Sequence, residues 1–149
     1  MSTVREQGRP ITVLYVEDND DDVEITRLGF THARLAIDLQ VVNDGEECMA
    51  YLRRGPAYQH AVRPDLVLLD INMPRMNGFE VLRLIEADES LCAIPVVILT
   101  SSSADEDIAA MYQLRCSSFI SKPVDFDKFV EIIKTLTDYW FTVVELPSR

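Results

Sequence analysis

Apolar residues in this chain gather in short runs separated by longer amphipathic stretches. Ile11 to Val16 is the first run, and Leu66 to Leu69 and Val96 to Leu99 are the purest. Continuous apolar runs of this length, closed by a polar residue, predict strands buried on both faces of a parallel sheet. The segment Asp38 to Val42 partly alternates instead, as a half-covered edge strand does, and Phe119-Ile120, between Ser118 and Ser121, is a short fifth candidate. Helical spacing fills the gaps: Ile25 with Leu28, Met49 with Leu52, Leu82 with Ile85, Ile108 with Met111, and the stripe Phe126, Phe129, Val130 and Ile133 behind an N-cap at Asp125. A strand–helix alternation repeated five times predicts the α/β class, with a doubly wound parallel sheet and short connections. Arg54 to Pro64, which contains Gly55, Pro56 and Pro64, reads as a longer exposed loop.

Composition narrows the partners. At 149 residues the chain suits one domain with a substantial core. Its 25 acidic residues outnumber 14 Lys plus Arg, for a formal charge of −11. That balance repels phosphate backbones and anionic lipid, which argues against nucleic-acid and membrane-surface binding. No apolar run approaches the roughly 20 residues of a membrane span, and the opening MSTVREQGRP lacks a signal-peptide core. Cys48, Cys92 and Cys116 are odd in number and widely spaced, so they read as free thiols of a reducing, cytoplasmic compartment.

The candidate chemistry lies at strand ends. In an open parallel sheet, ligands bind beyond the carboxyl ends of the strands, at the point where the winding reverses. Glu17 and Asp18 directly follow the first strand, and Asp70 follows the third. On neighbouring strands their carboxylates would converge, and at about 5 Å and an effective dielectric near 20 each like-charged pair repels by roughly 3 kcal/mol. Such a cluster takes up protons or recruits a cation, and an all-oxygen set completed by waters and a phosphate suits Mg²⁺, with the backbone carbonyl of Asn72 as a further donor. The six acids between Glu17 and Glu24 have a plainer reading as a solvated helix start favoured by the helix dipole, and they lack the order of a calcium loop. Asp70 is harder to explain that way, because a carboxylate directly after Leu66 to Leu69 is partly desolvated and calls for a partner. Thr100 ends the fourth strand and Lys122 follows the fifth. Alone, each is an ordinary turn or surface residue; at one sheet edge, a hydroxyl and an ammonium facing a carboxylate-bound metal make a phosphoryl pocket.

The segments VEDN (Val16 to Asn19), LLDINMPRMNG (Leu68 to Gly78), VVILTSSS (Val96 to Ser103) and FISKPVD (Phe119 to Asp125) together resemble the receiver domain of two-component response regulators. The resemblance spans about Ile11 to Tyr139 and implies a flavodoxin-like five-stranded sheet of order 2-1-3-4-5, with helices on both faces. It implies that Asp70 accepts a phosphoryl group from the phosphohistidine of a sensor histidine kinase. Asp18, Asp70 and the Asn72 carbonyl would hold Mg²⁺, with Glu17 acting largely through water, and Lys122 would contact the phosphoryl oxygens. Thr100 and Phe119 would be the switch pair that reshapes the face of the fourth helix, fifth strand and fifth helix, and the Lys122-Pro123 bond would be the family's cis peptide. Arg115-Cys116 departs from the family's frequent Gly-Ala, and Asn72 and Ser102 hold positions that tend to tune phosphoryl lifetime.

The implied organisation is an extension over 1–10, a receiver over 11–139 and a tail over 140–149. That tail is too short for an output domain, so readout by another protein is expected. Trp140, Phe141, Val143, Val144 and Leu146 give it an apolar, β-prone character. It either folds back on its own domain or, the preferred reading, joins the last helix in a homodimer. Tail and long loop together resemble the single-domain regulators paired with bacterial phytochromes, which implies a light-sensing kinase as donor. Two alternatives stand beside this. A phosphatase of the haloacid-dehalogenase type usually has a second Asp two residues after its nucleophile, where this chain has Asn72. A pseudo-receiver that binds without accepting phosphate typically loses an acid, the acceptor or the lysine, all of which are present here.

Overall fold

The computed structural model describes residues 11–32, 37–71, 73, 75–100, 117–122, 127, 128 and 131, with backbone alone at 100, 117–119 and 121. Five strands pair in parallel: β1 (Ile11–Val16), β2 (Ile37–Val42), β3 (Leu66–Asp70), β4 (Val96–Thr100) and β5 (Ser117–Ser121), side by side as β2-β1-β3-β4-β5. Between them run α1 (Asp20–His32), α2 (Gly45–Leu52) and α3 (Gly78–Ala87). The α/β class expected from the hydrophobic pattern is therefore what the chain adopts. The helical pair Ile108 and Met111 and the stripe Phe126, Phe129, Val130 and Ile133 lie outside the described residues, as do Asn72, Pro123 and the tail residues Trp140, Phe141, Val143, Val144 and Leu146.

Strand alternation divides the core in two. Leu14, Val16, Val67, Leu69, Val96 and Ile98 point to one face and pack with Cys48, Leu52, Val81, Leu82 and Ile85 of α2 and α3. Val13, Tyr15, Leu66, Leu68, Val97, Leu99 and Ile120 point to the other and pack with Phe30 and Val23 of α1. Side chains of this size each contribute about 1.5–3 kcal/mol when fully buried. β1, β3 and β4 are covered on both sides, hence their unbroken apolar runs, whereas β2 is a half-exposed edge.

The face that α1 presents differs from its apolar spacing. Ile25 and Leu28 are 54% and 60% exposed, and the helix instead buries Thr26 and Phe30 with Val23 packed beside them. Phe30 and Thr26 are four apart and extend back to Asp22, so one stripe runs from the core to the carboxyl edge of the sheet. The larger Phe30 wins the core, which turns Ile25 and Leu28 outward.

Helix starts are set locally. Asn19 Oδ1 accepts from the backbone N–H of Asp21 and Asp22 at 2.9 and 3.1 Å, Asp44 caps α2 through Glu47 N–H at 2.8 Å, and Asn77 with Glu80 forms a capping box on α3. The loop at Arg54 to Pro64 is largely exposed, as its composition predicts, but it is anchored. It contains a 3₁₀ turn (Pro56–Tyr58); Tyr58 donates to Glu47 Oε2 at 2.6 Å, and Tyr51 of α2 donates to the Val62 carbonyl at 3.0 Å.

Candidate functional site

Register brings distant residues to one rim. Val16 pairs with Leu69, so Glu17 emerges level with Asp70; Leu99 pairs with Asp70 and Thr100 with Ser121, which leaves Lys122 one step beyond. Strand period two then places Glu17, Asp70 and Lys122 on the α1 face, in phase with Tyr15, Leu68 and Ile120. The first turn of α1 closes the site from above.

The carboxylates of Glu17, Asp18 and Asp70 each offer an oxygen within 4.8 Å of the others. Glu17 and Asp70 are each only 1% exposed. Asp18 faces solvent. Lys122 Nζ lies 2.8 Å from Glu17 Oε1, 3.0 Å from Asp70 Oδ2 and 3.2 Å from Asp22 Oδ2. Burial pushes the Glu17 carboxyl up to about 7; the Lys122 ammonium opposes the rise and neighbouring Asp70 adds to it. Burial by itself would lower Lys122, but its bonds to Glu17 and Asp70 outweigh that and hold it above its ordinary value, so it stays an ammonium. Among the described residues, four carboxylates thus face a single ammonium. The surplus negative charge, all on oxygen donors and partly dry, fits a small hard divalent cation such as Mg²⁺.

Beneath the rim lies a second layer. Tyr15 donates to Glu17 Oε1 at 3.1 Å, Thr26 Oγ1 donates to the Tyr15 hydroxyl at 3.3 Å, and Asn19 N–H reaches Glu17 Oε2 at 3.3 Å. Burial raises the Tyr15 phenol, the Thr26 bond opposes this and Glu17 reinforces it, so the phenol keeps its proton to donate. Gly78 is the other hidden element. A Cβ there would stand 2.7 Å from the Asp70 carbonyl and 2.8 Å from Ile71 Cα, so only glycine lets α3 start this close behind the acid.

Of the residues singled out in the sequence, the structure brings Glu17, Asp18, Asp70 and Lys122 together. Thr100 and Phe119 are placed by backbone alone, at β4 and β5. Sequence reasoning missed Asp22, Tyr15 and Thr26. Two signals for them were present: Tyr15 and Glu17 share a strand face at spacing two, and Asp22, Thr26 and Phe30 share a helix face at spacing four. Cavities of about 440 and 380 Å³ flank the 53–64 loop, and neither is lined by a residue of the acid cluster.

The chain matches the model of the response regulator receiver domain over residues 13–134. It belongs to the receiver family of response regulators. Response regulator Rcp1 of Synechocystis sp. strain PCC 6803 is 31% identical over 143 residues, covering 96% of this chain and 97% of its own. The bacteriophytochrome response regulator AtBRR superposes with a TM-score of 0.82 at 36% identity, over 91% of this receiver chain and 99% of that one. A Mn²⁺-bound structure of Rcp1 gives a TM-score of 0.70 at 31% identity, over 93% and 100% of the two chains. This is accordingly a receiver related to phytochrome response regulators, and among its described residues no helix is long and apolar enough to cross a membrane.

Proposed function

We propose that this receiver is a phosphoacceptor switch in which Asp70 takes a phosphoryl group from the phosphohistidine of a sensor histidine kinase. The observation that carries the reading is the convergence of Glu17, Asp18 and Asp70 within 4.8 Å beside Lys122, 3.0 Å from the Asp70 carboxylate. An Asp70 oxygen attacks phosphorus, the bond from phosphorus to the histidine nitrogen breaks, and the nitrogen leaves as an acyl phosphate forms. Asp is a modest nucleophile, but transfer from so labile a donor depends mainly on positioning and charge neutralisation. Asp18 and Asp70, with Glu17 and the Asn72 carbonyl, would hold Mg²⁺, which when bound neutralises charge on the phosphoryl oxygens. Lys122, fixed as an ammonium, supplies a second positive charge to those oxygens. This is self-assisted, single-turnover chemistry and not that of a turnover enzyme.

The receiver comprises an extension over 1–10, a doubly wound domain over 11–139 with helices on both faces, and a tail over 140–149. Thr100 and Phe119 form the switch pair, and the last helix with Trp140, Phe141, Val143, Val144 and Leu146 forms a homodimer contact. The compartment is the cytoplasm. Likeness to two regulators named for bacteriophytochromes, at 36% and 34% identity, supports a bacteriophytochrome kinase as donor. The test is incubation with acetyl phosphate and Mg²⁺ followed by intact-mass measurement. One added phosphoryl group, lost in EDTA and in Asp70→Asn, supports the reading; equal gain in Asp70→Asn refutes it.

A further inference from the structure

We infer that Tyr15, itself oriented by Thr26, is a positioning residue that presents Glu17 to the divalent-metal site. Tyr15 and Thr26 are 1% and 3% exposed, so their hydroxyls must find partners within the protein. Thr26 Oγ1 donates to the Tyr15 oxygen at 3.3 Å, which directs the phenol proton away from Thr26 and along the 3.1 Å line to Glu17 Oε1. That same oxygen receives the Lys122 ammonium at 2.8 Å, and the other, Oε2, receives Asn19 N–H at 3.3 Å. The Glu17 carboxylate is thereby held from three directions: the strand below it, the cap of α1 and the end of β5.

A simpler role for a buried tyrosine is to satisfy its own hydroxyl. Two features go beyond that. The acceptor is a carboxylate of the acid cluster, not a carbonyl, and the chain of donors reaches back into α1 one turn below Asp22, which also touches Lys122. Without the phenol hydroxyl, Glu17 keeps Lys122 and Asn19 but is freer to turn its carboxylate plane away from Asp18 and Asp70. Groups that orient a metal-site carboxylate typically change metal affinity by about tenfold or more when removed.

This inference rests on the metal-dependent reading proposed above, and the experiment separates the two. Free Mn²⁺, followed by its electron paramagnetic resonance signal, is titrated against wild type, Tyr15→Phe, Thr26→Val and Asp18→Asn, with thermal melting of each metal-free protein as a fold check. Phe keeps the ring packing, so a merely structural tyrosine would lower the melting temperature and leave the affinity alone. The expected result is binding about tenfold weaker in Tyr15→Phe and a smaller loss in Thr26→Val. Should Tyr15→Phe fail to melt cooperatively, the affinity of Thr26→Val decides. Wild-type affinity in the folded Tyr15 or Thr26 variant, with binding abolished by Asp18→Asn, overturns the role of Tyr15 and leaves the metal reading standing. Wild-type affinity in Asp18→Asn, or no binding by wild type, overturns both.

Discussion

Replacing Lys122 by Met keeps most of the side-chain volume and removes the one ammonium that, among the described residues, touches the acid cluster. At an effective dielectric of 20, attraction across 2.8 Å to Glu17 is gross about 6 kcal/mol and across 3.0 Å to Asp70 about 5.5 kcal/mol. The cost of holding the ammonium out of water offsets much of this, and the net loss on breaking a buried pair is about 3–5 kcal/mol. Charge leaves a signature that packing does not. The Glu17 carboxyl sits near 7 in the fold against its ordinary 4.5, so protonated Glu17 contributes stability below about 4.5 that disappears as pH rises through 7. Lys122 holds that value down, so in Lys122→Met the same loss extends to higher pH. The deficit relative to wild type is therefore steady up to about pH 7, where wild-type Glu17 itself ionises, and grows as pH rises above it. Mg²⁺ replaces lost positive charge and should stabilise the variant more than wild type. Urea denaturation on either side of about pH 7, with and without millimolar Mg²⁺, measures this. A deficit of the same size at every pH and indifferent to Mg²⁺ would refute the electrostatic account and assign Lys122 to packing.

Gly78→Ala forces a Cβ to within 2.7 and 2.8 Å of backbone at Asp70 and Ile71. The cost is about 1–3 kcal/mol, seen as a lower melting temperature together with slower labelling by acetyl phosphate; an unchanged melt would mean that α3 shifts freely. Tyr58→Phe removes the 2.6 Å bond to Glu47, leaves that carboxylate its 2.7 Å bond from Asn43 N–H, and costs about 1–2 kcal/mol. Its readout is faster limited proteolysis within residues 53–64, and cleavage at the wild-type rate would show that the loop does not depend on this anchor.

The legible parts of the sequence were those in which one residue class has one physical outcome. Apolar runs such as Leu66 to Leu69 have no stable place except a doubly covered strand, and a carboxylate directly after such a run, Asp70, marks the sheet edge that binds ligands. Lys122, which follows Ser121 and alone reads as a surface residue, was legible only as an ammonium at the same sheet edge as Asp70. The face of α1 was not legible, because Ile25 and Leu28 satisfy helical spacing as well as the true stripe does. Only the sheet decides that Phe30 and Thr26 turn inward. Tyr15 was hidden inside an apolar run, where its ring satisfies the pattern and its hydroxyl adds nothing to periodicity. Asp22 was one acid among six, and its contact with Lys122 spans 100 positions of sequence that no local rule reaches.

The most direct test of the phosphoacceptor assignment locates the phosphoryl group. Protein labelled with acetyl phosphate and Mg²⁺ is reduced with borohydride, which converts an acyl phosphate to an alcohol, and its peptides are mapped by mass spectrometry. The account predicts that the modified carboxyl is Asp70, that EDTA prevents the modification, and that Asp70→Asn carries none. Modification centred on Glu17, Asp18 or a residue outside the cluster, or undiminished in Asp70→Asn, would contradict it.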